Sequence, residues 1–135
     1  MKQQIQWRTQ LYALLGDLSD KNRFIGARLV WREAHEHYYL EKLALDLNGQ
    51  EGVPVFFLRP KTDDEPFPTL LYHHAHAGEY DIGKNELIDG RGGTSYGEEF
   101  ARRGWAALCL DTWAFGERNP RSETDIFKLM CGVVQ

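Results

Sequence analysis

The segment that most constrains this chain is residues 68–78, PTLLYHHAHAG. Its first part, Thr69 to Tyr72, is a short and largely apolar run that is typical of a buried strand. Three histidines follow at once, and then small residues up to Gly78. In open α/β sheets, ligands bind in the crevice beyond the ends of the strands. We therefore expect a sheet in which this loop is one part of a functional site.

The residues before this segment predict one helix and three strands. Apolar side chains recur near helical spacing over residues 5–15, and Gly16 suits a C-cap, so we expect an amphipathic helix within residues 1–20 that packs on the domain. Three β-type runs separated by short turns fill residues 27–59 and predict an antiparallel meander. Pro54 lacks an N–H, which predicts that the third run is an edge strand or begins there.

The residues after the segment, 68–135 taken together, predict a strand–helix–strand crossover and a terminal helix. Residues 95–98 have the spacing of a capping box, and the helix that they open ends at Gly104. Residues 105–110, WAALCL, are typical of a strand buried on both faces of a parallel sheet. A second cap at Ser122 precedes the last helix. The apolar residues of that helix share one face: Ile126, Leu129, Met130, Val133 and Val134.

The composition, 42% hydrophobic and 27% charged, is that of a soluble globular protein. The 135 residues suffice for a single domain, and 16 Lys and Arg against 20 Asp and Glu give a net charge of −4. This balance does not favour nucleic acid or a membrane surface as a partner. Two cysteines without CxxC spacing and an N-terminus without an apolar stretch predict a cytoplasmic protein.

Two loops leave the carboxyl ends of the predicted parallel strands, residues 73–78 and residues 111–118. Ligands bind at this end of such sheets. His74 and His76 have the i, i+2 spacing that places both imidazoles on one side, so a metal-dependent hydrolase is one open interpretation. Acidic residues that could complete a ligand set are Asp81 and Asp111.

Several segments carry a resemblance to a known family. In chain order they are LALDLNG, VPVFFLRP, PTLLYHHAHAG, EEFARRGWAALCLD and FGER. Their order and spacing resemble the N-terminal portion of an α/β-hydrolase, in the dienelactone hydrolase and acetyl xylan esterase-like group. The resemblance spans nearly the whole chain. It implies an incomplete α/β-hydrolase domain over residues 1–135, small ester-type substrates and no cofactor.

The resemblance implies a role for the backbone of residues 73–78. In that fold the loop after the third strand supplies one N–H of the oxyanion hole, and this N–H maps onto Ala75 or His76. Small residues suit the role because the backbone must approach the oxyanion within about 3 Å. The remaining residues that it implies are pocket-lining: His74, Gly78 and Asp111. Asp111 and Arg118 are expected to pair.

The resemblance also implies a nucleophile on a Gly-x-Ser-x-Gly elbow between a later strand and a helix, then an acid and a histidine, and none of Ser19, Ser95 and Ser122 lies in that setting. Ser95 and Ser122 are explained as helix caps, and every histidine precedes the place where the elbow would come. We therefore expect a truncated chain with no catalytic residue of its own and no triad hydrolysis. A non-catalytic binding or assembly module stays open, with the apolar face of the last helix as a homo-oligomer contact.

Overall fold

The computed structural model describes residues 2–15, 20, 22–62 and 66–131. Five strands form one sheet: β1 (Gly26–Ala34), β2 (Tyr38–Asp46), β3 (Gly52–Pro60), β4 (Thr69–Tyr72) and β5 (Ala106–Leu110). The α-helices are α1 (Lys2–Leu14), α2 (Glu86–Asp89), α3 (Tyr96–Arg102) and α4 (Glu123–Met130). Two short 3-10 helices lie in the loops, at Gly83–Asn85 and Gly116–Arg118.

The strands lie in the order β1-β2-β3-β5-β4. The pairs β1–β2, β2–β3 and β3–β5 are antiparallel, whereas β4 and β5 are parallel. The helices α2 and α3 lie between β4 and β5 in the chain. This confirms the predicted α/β class, with an N-terminal helix and an antiparallel meander that leads into a parallel crossover.

The position of β4 differs from the prediction of a buried strand. Since β5 lies between β3 and β4, β4 forms the edge of the sheet among the described residues, and Leu71 is 59% exposed. The apolar character of this short strand indicated its conformation correctly. It could not indicate that a strand from later in the chain would occupy the central position.

Pro54 lies in a central strand and not at an edge, but it is the third residue of β3, which agrees with the alternative prediction of a position near the start of the strand. Its carbonyl oxygen faces the β5 side, where it accepts the N–H of Asp111 at 3.2 Å. In a strand, the nitrogen and the carbonyl oxygen of one residue face the same side, so the ring nitrogen of Pro54 also faces β5. The reciprocal bond, from residue 54 to the main-chain oxygen of Asp111, is the one that proline cannot make, and that oxygen accepts from Arg118 at 3.1 Å instead.

One face of the sheet carries the main core. Phe56 and Leu58 from β3 pack with Ala107 and Cys109 from β5 and with Leu87 of α2. Cys109 is fully buried, as expected for a small apolar residue, and burial raises the pKa of its thiol to about 12. Successive residues of a strand point to opposite faces. A smaller cluster therefore lies on the other face: Leu45, Val53 and Val55.

The helix α1 forms as predicted, but the expectation that it packs on the domain is wrong. All its described side chains, from Gln3 to Leu14, are exposed. Its apolar residues surround the helix and do not form one stripe. For example, Ile5 and Leu14 are nine residues apart, which is two and a half helical turns, so they lie on opposite sides. The proposed cap at Gly16 lies outside the described residues.

The helix α4 begins with the predicted capping box. The Ser122 hydroxyl accepts the N–H of Asp125 at 3.2 Å, and the Asp125 carboxylate accepts the N–H of Ser122 at 3.2 Å. Phe127 and Met130 are exposed, whereas Val133 and Val134 of the predicted apolar face lie outside the described residues. Within the described part of the chain, no helix has the length and apolarity that a membrane span requires.

Candidate functional site

The loops at residues 73–78 and 111–118 meet because β4 and β5 are parallel neighbours, with Tyr72 opposite Cys109. His74 joins the two loops. Its Nε2 atom accepts the backbone N–H of Thr112 at 3.2 Å and lies 3.0 Å from the Thr112 hydroxyl. The site that the sequence placed at the carboxyl ends of two strands is therefore one continuous region.

His74 is a buried side chain with partners at both ring nitrogens. Its Nδ1 atom lies 3.2 Å from the carbonyl oxygen of Ala75, and its ring packs against Phe115 with 4.8 Å between centroids. Since Nε2 accepts an N–H, the proton of a neutral imidazole belongs on Nδ1. A metal at His74 would have to displace one of these contacts. In the ranges that the structure describes, no three His, Cys, Asp or Glu side chains form a group that could hold a metal ion.

Glu86 holds the backbone of the first loop, residues 73–78. Its buried carboxylate accepts three hydrogen bonds: from the Tyr72 hydroxyl at 2.5 Å, from Arg91 Nε at 2.9 Å and from the backbone N–H of Ala75 at 3.1 Å. Burial raises the pKa of Glu86, but the hydrogen bonds from Tyr72, Arg91 and Ala75 outweigh it, so the pKa is lowered. The N–H of Ala75 is therefore already occupied.

His76 has an exposed side chain and a free backbone donor. No described residue accepts the N–H of His76. Its Nε2 atom contacts the carboxylate of Glu123 on α4, and the hydroxyl of Tyr80 donates to the same carboxylate at 2.7 Å. The Phe115 ring lies against the imidazole, 5.3 Å between centroids. Through its side chain, His76 connects the first loop to α4.

The end of the first loop has a left-handed backbone. Ala77 has a φ of 31° and Gly78 a φ of 75°. A Cβ at Gly78 would meet no atom within 4 Å, so the conformation and not the space favours glycine there. These two residues turn the chain away from the strand end directly after His76.

Asp111 lies beneath the loops and is fully buried. Its carboxylate pairs with the Lys84 ammonium at 2.7 Å and accepts the backbone N–H groups of Lys84 at 2.7 Å and Glu117 at 3.0 Å. Arg118 donates to the main-chain oxygen of Asp111 at 3.1 Å and not to the carboxylate, which corrects the expected pair. The carboxylate is fully buried in this structure, and a pocket-lining role for Asp111 stays a prediction.

An open and mainly apolar cavity of about 710 Å³ lies beside His76. It is bounded by the loop after β5 on one side and by α4 on the other. The residues that line it are His76, Thr112, Trp113, Phe115, Glu123, Thr124, Ile126, Phe127 and Met130. A largely apolar concave surface with a few polar groups at one end is the usual form of a small-molecule site.

Comparison with known proteins gives a sequence relative and solved structures with a similar fold. No family model matches the chain. The chain is 42% identical over 126 residues to "Putative hydrolase YtaP" from Bacillus subtilis (strain 168). This match covers 91% of the chain and 42% of the relative, so the chain spans less than half the length of that protein.

The fold is similar to the crystal structure of a "putative acetyl xylan esterase" from Bacteroides fragilis NCTC 9343, solved at 2.30 Å resolution. The TM-score is 0.62, and the two chains share 20% identity. The similarity covers 87% of this chain and 31% of the esterase. The fold is hydrolase-like.

Within this hydrolase-like fold, sequence reasoning found the loop but missed the residues that hold it. Lys84 and Glu86 lie in a polar connection without a recognisable motif, and Glu123 directly follows the cap at Ser122 without a motif of its own. Their contribution to the site is visible only from contacts with residues distant in sequence, such as Asp111 for Lys84 and His76 for Glu123. No sequence signal marks Glu86, because its need for nearby hydrogen-bond donors follows from its burial, which is itself a property of the fold.

Proposed function

We propose that this chain is part of an ester or acyl hydrolase and that its His76 N–H is one donor of the oxyanion hole. One observation favours His76 over Ala75 as the donor. The N–H of Ala75 is taken by Glu86, whereas the N–H of His76 has no acceptor among the described residues. His76 also lines the 710 Å³ cavity, in which an ester could lie.

The chemistry follows from the charge that develops during acyl transfer. When a nucleophile attacks an ester, the carbonyl oxygen becomes an oxyanion, and donors already aimed at it stabilise the transition state without reorganisation. The loop around His76 is fixed from two directions, by Glu86 on Ala75 and by His74 on Thr112. This arrangement holds a donor in place before the substrate arrives.

The proposal also concerns the residues of the catalytic triad. Residues 93–97, GTSYG, match the Gly-x-Ser-x-Gly pattern, but Ser95 follows the loop after α2 and not a strand, and its hydroxyl accepts the N–H of Glu98 at 3.2 Å as the N-cap of α3. Ser19 and Ser122 lie in no such pattern. The matched region is 42% of the Bacillus subtilis relative. We infer that the nucleophile, the acid and the catalytic histidine belong to the part of the hydrolase that this chain does not span. Small ester-type substrates fit the name of the esterase with the similar fold.

A complementation assay tests the proposal. The chain is mixed with the part of the Bacillus subtilis relative outside the match, and hydrolysis of p-nitrophenyl acetate is followed. We expect turnover above background only in the mixture, with neither part active by itself. Saturable turnover by the chain itself, together with labelling by a serine-directed fluorophosphonate, would refute the absence of a nucleophile. An inactive mixture whose parts co-purify would refute the hydrolase assignment.

A second candidate, an assembly module, is favoured by unpaired surfaces. The outer edge of β4 has no neighbouring strand among the described residues, and Leu71 on that strand is exposed. Phe127 and Met130 add exposed apolar area on α4. If two copies cover these surfaces, light scattering gives twice the chain mass of 15.6 kDa, and Met130→Asp returns the mass to that of a monomer. A wild-type chain that is monomeric at high concentration contradicts the homo-oligomer.

A further inference from the structure

A second cavity, of about 480 Å³, lies over strands β1 to β3, next to the loop after β5. Its floor includes Ala44, Gly52 and Pro54, and one wall is the indole of Trp113. Four cationic side chains surround it: Arg28, Lys42, Arg118 and Arg121. We call this cavity the cationic cleft.

The charge of the cationic cleft opposes that of the chain. Four cationic side chains and two acidic ones, Glu51 and Glu117, line it, so the lining carries a net charge of +2. The whole chain carries −4. A cleft lined by charges of one sign concentrates the field within it, and this raises the local concentration of ligands of the opposite sign. The cleft is therefore an attractive position for an anion on a protein that otherwise repels anions.

Two of the four cations are held by partners. Lys42 pairs with Glu117 at 2.7 Å. Arg118 pairs with Glu51 and also donates to the main-chain oxygen of Asp111 at 3.1 Å. These bonds occupy both acidic side chains of the cleft, so neither acid is available to neutralise another cation.

The other two cations, Arg28 and Arg121, have no carboxylate partner among the described residues. Arg121 lies over the ring of Trp113 at 5.4 Å, and Trp113 is itself held by a hydrogen bond from its indole N–H to Glu51 at 3.1 Å. Stacking on an aromatic ring orders a guanidinium without using its N–H donors. Two guanidinium groups with unused donors therefore line the same cleft.

We propose that the cationic cleft binds a small anionic ligand through a carboxylate or phosphate group, with Arg28 and Arg121 as the principal donors. A guanidinium offers paired N–H groups that match the two oxygens of either anion. Since Trp113 lines both this cleft and the 710 Å³ cavity, a bound anion lies one side chain away from the proposed ester site. Binding here requires no nucleophile, so this inference stands or falls independently of the proposed hydrolase function.

The test is a titration of the full chain followed by ¹H–¹⁵N NMR, with inorganic phosphate in one arm and citrate in the other. The indole N–H of Trp113 is the reporter. We expect saturable shifts that weaken as salt is added. R28Q and R121Q each remove one exposed guanidinium, and each should raise the Kd about tenfold. Arg8→Gln is the matched control, because Arg8 is exposed on α1, and it should leave the Kd unchanged.

R28K and R121K keep the charge and should recover part of the affinity, which separates an electrostatic effect from a loss of folding. Tighter binding of phosphate than of citrate would assign the ligand group as a phosphate, and the reverse would assign it as a carboxylate. Shifts that do not saturate with either anion would overturn the proposal. The same conclusion would follow if R28Q and R121Q bound both anions as tightly as the wild type.

Discussion

The buried pair of Asp111 and Lys84 makes the sharpest prediction about stability. Both side chains lie in the interior, and the Asp111 carboxylate accepts three hydrogen bonds, two from backbone N–H groups and one from the ammonium. Asp111→Ala removes all three acceptor contacts at once. It leaves the ammonium of Lys84 buried, with only Glu117 as a carboxylate partner at 2.5 Å.

The expected loss follows from the number and burial of these contacts. Removing one partner of a buried ion pair costs about 3–5 kcal/mol. The remaining contact of Lys84 with Glu117 reduces the loss, while the two backbone N–H groups left without an acceptor increase it. We therefore expect Asp111→Ala to lower the free energy of unfolding by about 4 kcal/mol. Asp111→Asn keeps an acceptor for the backbone N–H of Lys84 and should cost about half as much.

Urea unfolding followed by circular dichroism measures both effects. With a slope of about 2 kcal/mol per M, Asp111→Ala should move the midpoint down by about 2 M. The matched control is Asp81→Asn, at an exposed aspartate that accepts a hydrogen bond from Asn119 at 2.9 Å, and it should change the stability by less than about 0.5 kcal/mol. A loss of less than about 1 kcal/mol in Asp111→Ala would refute the structural role of the pair.

Three other substitutions test the loops and the site. Gly116 has a φ of 51°, and a Cβ there would overlap the Asp111 carboxylate, so Gly116→Ala should lower the free energy of unfolding by more than about 2 kcal/mol in urea. Gly78 has a φ of 75° but open space around it, so Gly78→Ala should cost about 1 kcal/mol. Equal losses would contradict the role of the close approach at Gly116. The pKa of Glu86 is lowered, so its carboxylate stabilises the fold fully above the unfolded-state value near 4.5, and this stabilisation is lost as the pH falls through the folded-state value. The difference in unfolding free energy between wild type and Glu86→Gln should therefore shrink in acid. A difference that does not depend on pH would contradict the stabilising role of the Glu86 carboxylate. In the complemented hydrolase, His76→Ala keeps the backbone N–H and should change kcat by less than about threefold. His76→Pro removes the N–H and should lower kcat by about 10²–10³. The opposite order would show that the imidazole, and not the backbone N–H, contributes to catalysis.

The local structure of this chain was predictable because it depends on neighbours a few residues away. The alternating runs that became β1 to β3, and the caps at Ser95 and Ser122, were found at nearly their observed positions. The buried strand β5 was equally clear from WAALCL. The exposure of α1 was not, since near-helical spacing of apolar residues predicts a helix but does not guarantee a single apolar face.

The histidine-rich loop shows where prediction from the sequence stopped. The resemblance to α/β-hydrolases implied a backbone donor at Ala75 or His76, but it did not distinguish between the two N–H groups. The structure distinguishes them through Glu86, which lies eleven residues after Ala75 and accepts its N–H. No pattern in the sequence announces that contact.

The sequence by itself determined the elements, their α/β class and the loop in which the site should lie. Tertiary structure alone decided that β5 lies between β3 and β4, that Lys84 meets Asp111 across 27 residues, and that four cations surround one cleft. The physical reason is the range of the forces involved. Strand and cap preferences arise from backbone sterics and adjacent side chains, whereas a buried ion pair or a shared cleft exists only after the chain has brought distant residues within a few ångströms of each other.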